Sequence, residues 1–176
     1  MQNKTNFVYL VRHGESEANT QGIYQGQTYN TQLSLLGQRQ ALALGERLRK
    51  IPFDRAIASP LLRTQATAAH VCPKVESELR LLETDHGEWE GKNKNEIESI
   101  WPETYARWLN NPRDVTFPGG ESFLETQSRV LDWWEEVTND PCNLLVVAHD
   151  NILRIIIANV LKMDLDDIWQ FHLQSA

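Results

Sequence analysis

Cysteine is nearly absent from this sequence. Cys72 and Cys142 are its only two; neither lies in a CxxC pair or near histidines spaced for zinc, which excludes a disulfide scaffold and a structural zinc site. Read as small core or near-surface residues in a reducing compartment, they make the cytoplasm the expected location. Long apolar runs are missing as well. Leu144–Ala148 and residues 155–158 fall far short of the roughly 20 residues that cross a bilayer. The opening MQNKTNFVYLVRHG has no cationic start leading into an apolar stretch, so no secretory signal is expected. Positive charge is in deficit, with 17 Lys and Arg against 24 Asp and Glu and a net charge of −7. That weighs against nucleic acid or an anionic membrane surface as partner. No repeat, low-complexity tract or linker appears, so residues 1–176 read as one domain, long enough to bury roughly 70% of the unfolded surface. An anionic substrate would have to be met by a local cluster of positive charge.

What is present reads as strands alternating with helices. Residues 7–11 form a short strand-like run that ends in the polar turn 12–17. Ser34 is the expected N-cap of a helix running to Lys50, with Ala41, Leu44 and Leu48 at helical spacing. Arg55–Ala58 is the next strand, and Ser59-Pro60 reads as N-cap and first position of a helix over 61–71. Residues 75–82 read as another strand. A tryptophan-rich insert over about 88–118 follows, with a helix starting at Pro102. Ser122 and Glu125 form a capping box for a helix to about Val137 that shows Val130, Trp134 and Val137 on one face. Leu144–Ala148 is a fully apolar, central strand, and 152–161 a buried helix. The pattern predicts an α/β fold, a three-layer α/β/α sandwich with a mostly parallel central sheet.

Ligands of such sheets bind beyond the carboxyl ends of the strands. Those ends carry unusual polar residues here: Arg12-His13-Gly14, Ser59-Pro60 with Arg63 one turn later, Glu83, and His149-Asp150. Singly, each has an ordinary reading as a solvated charge, a turn residue or a hydrogen-bonded core histidine. Their joint placement is what the ordinary readings do not explain. Two arginines keep their charge near neutral pH and fork onto the oxygens of a phosphate monoester. A histidine neutral on one nitrogen can attack phosphorus, and a glycine beside it leaves room for a bulky group. No carboxylate cluster with metal-ligand spacing appears, so neither metal nor cofactor is expected.

The blocks Val11-Arg-His-Gly-Glu-Ser-Glu-Ala-Asn19, Leu33-Ser-x-x-Gly37-Gln-x-Gln40-Ala41, Ser59-Pro-x-x-Arg63, Leu82-Glu83-x-x-x-Gly87-x-Trp-Glu-Gly91, Pro118-Gly-Gly-Glu-Ser122 and Val147-Ala-His149 resemble, in order, those of the histidine phosphatase superfamily, which includes phosphoglycerate mutases. The resemblance implies a phosphoglycerate mutase-like fold and catalytic roles for five residues. His13 would be the nucleophile that becomes phosphohistidine, Arg12 and Arg63 the phosphate clamps, His149 a donor to the phosphoryl oxygens, and Glu83 the general acid. Asn19, Gln25 and Gly26 would border the phosphate or the leaving group, with Asp150 and Asn151 beside them. Asp150 stands where most members of this branch have glycine; it either shares the acid role or caps the helix that follows. Members also continue beyond the 169–175 region into a final strand, so a sheet one strand short, or a truncated form, is expected.

A short insert between Gly91 and Pro118 resembles the small phosphatases. Hydrolysis of a small phosphorylated metabolite, by a monomer or homodimer, is therefore the first expectation. A 2,3-bisphosphoglycerate-dependent mutase is the second. A non-catalytic phosphate-binding module is the third; it is disfavoured because both histidines and both arginines are present. Trp89, Trp101, Trp108 and Tyr105 are read as core, with an aromatic substrate pocket as the alternative.

Overall fold

The structure is a computed structural model that describes residues 7–176. Four parallel strands, β1 (Val8–Arg12), β2 (Arg55–Ala58), β3 (Glu76–Ser77) and β4 (Leu144–Ala148), form one sheet in the order β1-β4-β2-β3. β4 is buried along its whole length, which is why its sequence is apolar without alternation. Its side chains still divide by pleat. Leu144, Val146 and Ala148 enter one core with Ile57, and Leu145 and Val147 enter the other with Ala56 and Ala58. Each fully buried aliphatic of this size contributes about 1.5–3 kcal/mol.

Helices α1 (Glu17–Thr20), α2 (Leu35–Leu48), α3 (Leu62–Ala69), α4 (Lys94–Ile100), α5 (Pro102–Asn110), α6 (Phe123–Thr138) and α7 (Asp150–Leu161) complete the layers. α2 and α3 cover the Leu145 face, while α6, α7 and the insert cover the other. The expected three-layer sandwich is what the chain forms.

Four local expectations are corrected. Ser59-Pro60 does not start α3; the N-cap is Leu61, without a side-chain cap bond, and the Ser59 hydroxyl, which accepts from Leu61 N at 3.5 Å, also lies 2.8 Å from His149 Nε2. The strand over 75–82 shrinks to two residues followed by a 3-10 turn, Leu79–Leu81, since Glu78 caps that turn through Arg80 N. On α6 the buried tryptophan is Trp133, with Trp134 only partly covered. At α7 the N-cap is His149 and Asp150 is the first helical residue. Trp89 and Tyr105 are core as expected, and Trp101 is partly buried against them.

After α7 the chain turns at Lys162, in the left-handed region at φ 56°. It then runs through a 3-10 turn, Leu165–Gln170, and on to Ala176. Among the described residues β1 pairs with β4 alone.

Candidate active site

The two histidines meet because of strand register. β1 and β4 are parallel with Arg12 opposite Ala148, so the next residues, His13 and His149, stand side by side at the carboxyl ends. Their ring centroids are 5.3 Å apart. His13 Nδ1 lies 2.7 Å from the Gly14 carbonyl. A carbonyl only accepts, so Nδ1 carries the proton and the neutral ring keeps its lone pair on Nε2. Burial, then the Arg63 and Arg12 charges, push the His13 pKa down to about 3, against the Gly14 hydrogen bond. The ring is a neutral base and nucleophile throughout the physiological range. His149 is fully buried and does not reach the cleft wall. Its Nε2 lies 2.8 Å from the Ser59 hydroxyl, its Nδ1 has no protein partner, and burial followed by Arg63 holds its pKa well below the usual value.

Gly14 does not leave room for a ligand. A Cβ there would lie 2.7 Å from the Gly37 carbonyl, so the missing side chain lets α2 approach the nucleophile loop. Gly14 N donates to Thr67 Oγ1 at 3.0 Å, and that hydroxyl donates to the Arg63 carbonyl at 2.7 Å. The nucleophile loop and the second arginine are thereby fixed to one another.

Positive charge converges on this point. Arg63 is 1% exposed, and burial lowers its pKa to about 10 against the attraction of Glu83 and Glu90. It remains a cation near neutrality. Its Nη2 donates to the Gly26 carbonyl at 3.0 Å, while Nε and Nη1 are buried without a protein partner. Arg12 Nε is in the same condition, and Arg12 Nη1 donates to the Leu173 carbonyl at 2.7 Å and pairs with Asp150 at 3.3 Å. Buried donors left without partners are costly, on the order of 1–3 kcal/mol each. Both arginines line one cleft with a volume of about 270 Å³, where a bound anion would meet two guanidiniums.

Glu83 lines the same cleft and is buried. Burial raises its pKa to about 7, partly offset by the Thr84 N–H that donates to it at 2.9 Å. At neutral pH it can therefore hold a proton and give it up. Asp150 differs. Its carboxylate bridges Arg12 and Arg154, whose Nε lies 2.8 Å away, so its oxygens are engaged by two guanidiniums. Asn19, Gln25, Gly26, Asp150 and Asn151 all line the cleft, as expected. The Asn19 and Gln25 side-chain oxygens each lie 2.9 Å from the Ser16 hydroxyl, and Asn151 Nδ2 reaches Thr84 and His86.

The sequence reading missed several residues. His86, Tyr24 and Trp169 complete the wall, together with Trp108. His86 is buried, and its pKa is lowered to about 4 by burial, opposed by Glu90 and Glu121. It stands immediately before Gly87, outside the residues that carry the resemblance, so its type alone carried the signal. Arg129 was also missed. It donates to the carbonyls of Arg80, Leu82 and Glu83 and so fixes the backbone of Glu83.

A family model described as the histidine phosphatase superfamily, branch 1, matches residues 8–176. The chain belongs to that superfamily. This histidine phosphatase is 37% identical over 173 residues to phosphoserine phosphatase 1 of Hydrogenobacter thermophilus, covering 95% of its own chain and 82% of that relative. It is 33% identical over 180 residues to the adenosylcobalamin/alpha-ribazole phosphatase of Salmonella typhimurium, covering 96% and 86%. Among solved structures, the alpha-ribazole phosphatase from Shigella flexneri superposes with a TM-score of 0.86 at 29% identity, covering 96% and 86%. The histidine phosphatase is a phosphoric monoester hydrolase of the small-substrate type.

Proposed function

We propose that the enzyme cleaves a small phosphorylated metabolite in two steps, both centred on His13. Arg12 and Arg63 hold the equatorial oxygens while His13 Nε2 attacks phosphorus, and His149, outside the cleft lining, packs against the His13 ring and holds it in place. Charge in such a transition state is spread over those oxygens, so fixed guanidiniums act where it develops. Protonated Glu83 gives its proton to the leaving alkoxide. Ionised, it then takes one from the water that splits phosphohistidine. The observation that carries this reading is that Arg12, Arg63 and a neutral His13 line one cleft. Asn19, Gln25, Gly26, Asp150 and Asn151 border the substrate.

The same reading makes the enzyme independent of metal, since two guanidiniums already meet the phosphoryl charge. We further propose that the enzyme works in the cytoplasm, as monomer or homodimer, with neither nucleic acid nor membrane as partner, in keeping with its net charge of −7. The test is phosphate release from phosphoserine, alpha-ribazole phosphate, 3-phosphoglycerate and a sugar phosphate, with and without EDTA. One ester should stand out by specificity constant, and EDTA should leave its turnover unchanged. Activity lost to EDTA and restored by magnesium would contradict the charge argument. A requirement for bisphosphoglycerate primer would revive the mutase reading, which is less favoured beside phosphatase relatives at this identity.

A further inference from the structure

The block that resembles the family around Glu83 also brings a carboxylate that the chemistry above does not use. Glu90 Oε1 accepts from Gln27 N at 2.8 Å. Its Oε2 accepts from Thr28 N at 2.7 Å, from Tyr29 N at 3.0 Å and from the Thr28 hydroxyl. Three successive backbone N–H groups and a hydroxyl converge on one side chain, a concavity of the kind that binds anions, filled here by the protein's own carboxylate. Gly26 lies beneath it at φ +52°, and a Cβ there would land on Glu90 Oε1. Loop and carboxylate are fitted to each other.

The other side of that loop faces the cleft. The Gly26 carbonyl accepts from Arg63 Nη2 at 3.0 Å, while Arg63 Nε and Nη1 have no protein partner. That bond therefore decides where the free edge of the guanidinium points. Gln27 Nε2, one residue on, donates to the Glu83 carbonyl at 2.9 Å. We infer that Glu90 is a positioning residue: it clamps loop 25–29 so that the Gly26 carbonyl aims Arg63 at the phosphoryl group. The inference rests on Arg63 being a phosphate ligand. Catalysis is sensitive to such aim, and a shift of about 1 Å in a positioned group can cost on the order of a hundredfold.

Glu90→Gln keeps the shape of the side chain but places an amide N–H₂ against donors that need an acceptor. Three quantities test it: competitive inhibition by inorganic phosphate and by orthovanadate, kcat and KM on p-nitrophenyl phosphate, and the thermal midpoint. Phosphate should bind about ten- to hundredfold more weakly, as for loss of one hydrogen bond to a charged group. KM should rise in step, kcat should fall less, and the midpoint should move by only a few degrees. Gly26→Ala displaces the same carboxylate from the same loop and should give the same pattern. It carries the comparison if Glu90→Gln does not fold. The double variant should be no worse than the poorer single one, because both act through one contact. A folded Glu90→Gln enzyme with wild-type phosphate inhibition, or fully additive effects, overturns the inference alone. A wild-type enzyme that neither phosphate nor vanadate inhibits overturns the Arg63 reading and this inference with it.

Discussion

At the scale of single residues, two carboxylates near one phosphate site are separated by their surroundings. Glu83 is buried and its pKa is raised to about 7, whereas Asp150 is paired with Arg12 and Arg154. Glu83 is therefore placed to carry a proton at working pH, while the Asp150 oxygens are taken up by guanidinium donors. An alkyl phosphate cannot lose its alkoxide unprotonated, while p-nitrophenolate leaves unaided. Glu83→Gln should therefore slow an alkyl ester by roughly 10²–10⁴-fold and the aryl ester far less. As pH rises through about 7, the wild-type enzyme should lose activity on the alkyl ester, and Glu83→Gln should lose that limb. Asp150→Asn should slow both esters alike by loosening Arg12; leaving-group dependence at Asp150 and none at Glu83 would reverse the assignment. That Arg12, His13, Arg63 and Glu83 share one cleft was legible because chemistry-bearing types at several strand ends are improbable in concert; that His149 lies outside its lining was not. The contacts of Glu90 and Arg154 were not legible, since charged side chains are ordinarily solvated and only three dimensions show what these hold.

At the scale of elements, the segment after α7 forms one side of the cleft. Arg154, on α7, donates through Nη1 to the carbonyls of Ile168 and Phe171, each at 2.6 Å. It also stacks on the Trp169 and Phe171 rings at 5.0 and 5.5 Å. Trp169 in turn donates to the Trp108 carbonyl at 3.1 Å and reaches the cleft. Arg154→Met keeps a stem of similar length but removes every donor. Residues 162–176 should then become sensitive to limited proteolysis, KM should rise several-fold with kcat less affected, and stability should fall by about 1–3 kcal/mol. Wild-type KM and protease resistance would show that the strap has no part in binding. Helices with capping boxes or periodic apolar faces, such as α2 and α6, were legible to within a few residues. β3 and the start of α3 were not. A two-residue strand has no period to detect, and the contact between Ser59 and His149 joins residues far apart in sequence.

At the scale of the whole molecule, the site has a stability cost that depends on pH. His13, His86 and His149 all have folded pKa values below the ordinary 6.5, so below that pH the unfolded chain takes up protons that the folded one refuses. Glu83 acts in the opposite sense, taking a proton in the fold between about 7 and its ordinary 4.5. Three groups outweigh one, so stability should fall as pH drops from 6.5 towards 4.5. A thermal midpoint that is flat or rising over that interval would contradict the burial of these rings. The fold class was legible at this scale because β4 reads as buried on both faces; the path of residues 162–176 was not, since it depends on Arg154 and Arg12 finding carbonyls in that segment. The account as a whole rests on one covalent event. Rapid quench of the wild-type enzyme with ³²P-labelled substrate, followed by peptide mapping, should find acid-labile, base-stable phosphate on His13, and His13→Ala should carry none and lose turnover by several orders of magnitude while remaining folded. Label on another residue, or a His13→Ala enzyme with wild-type turnover, would contradict it.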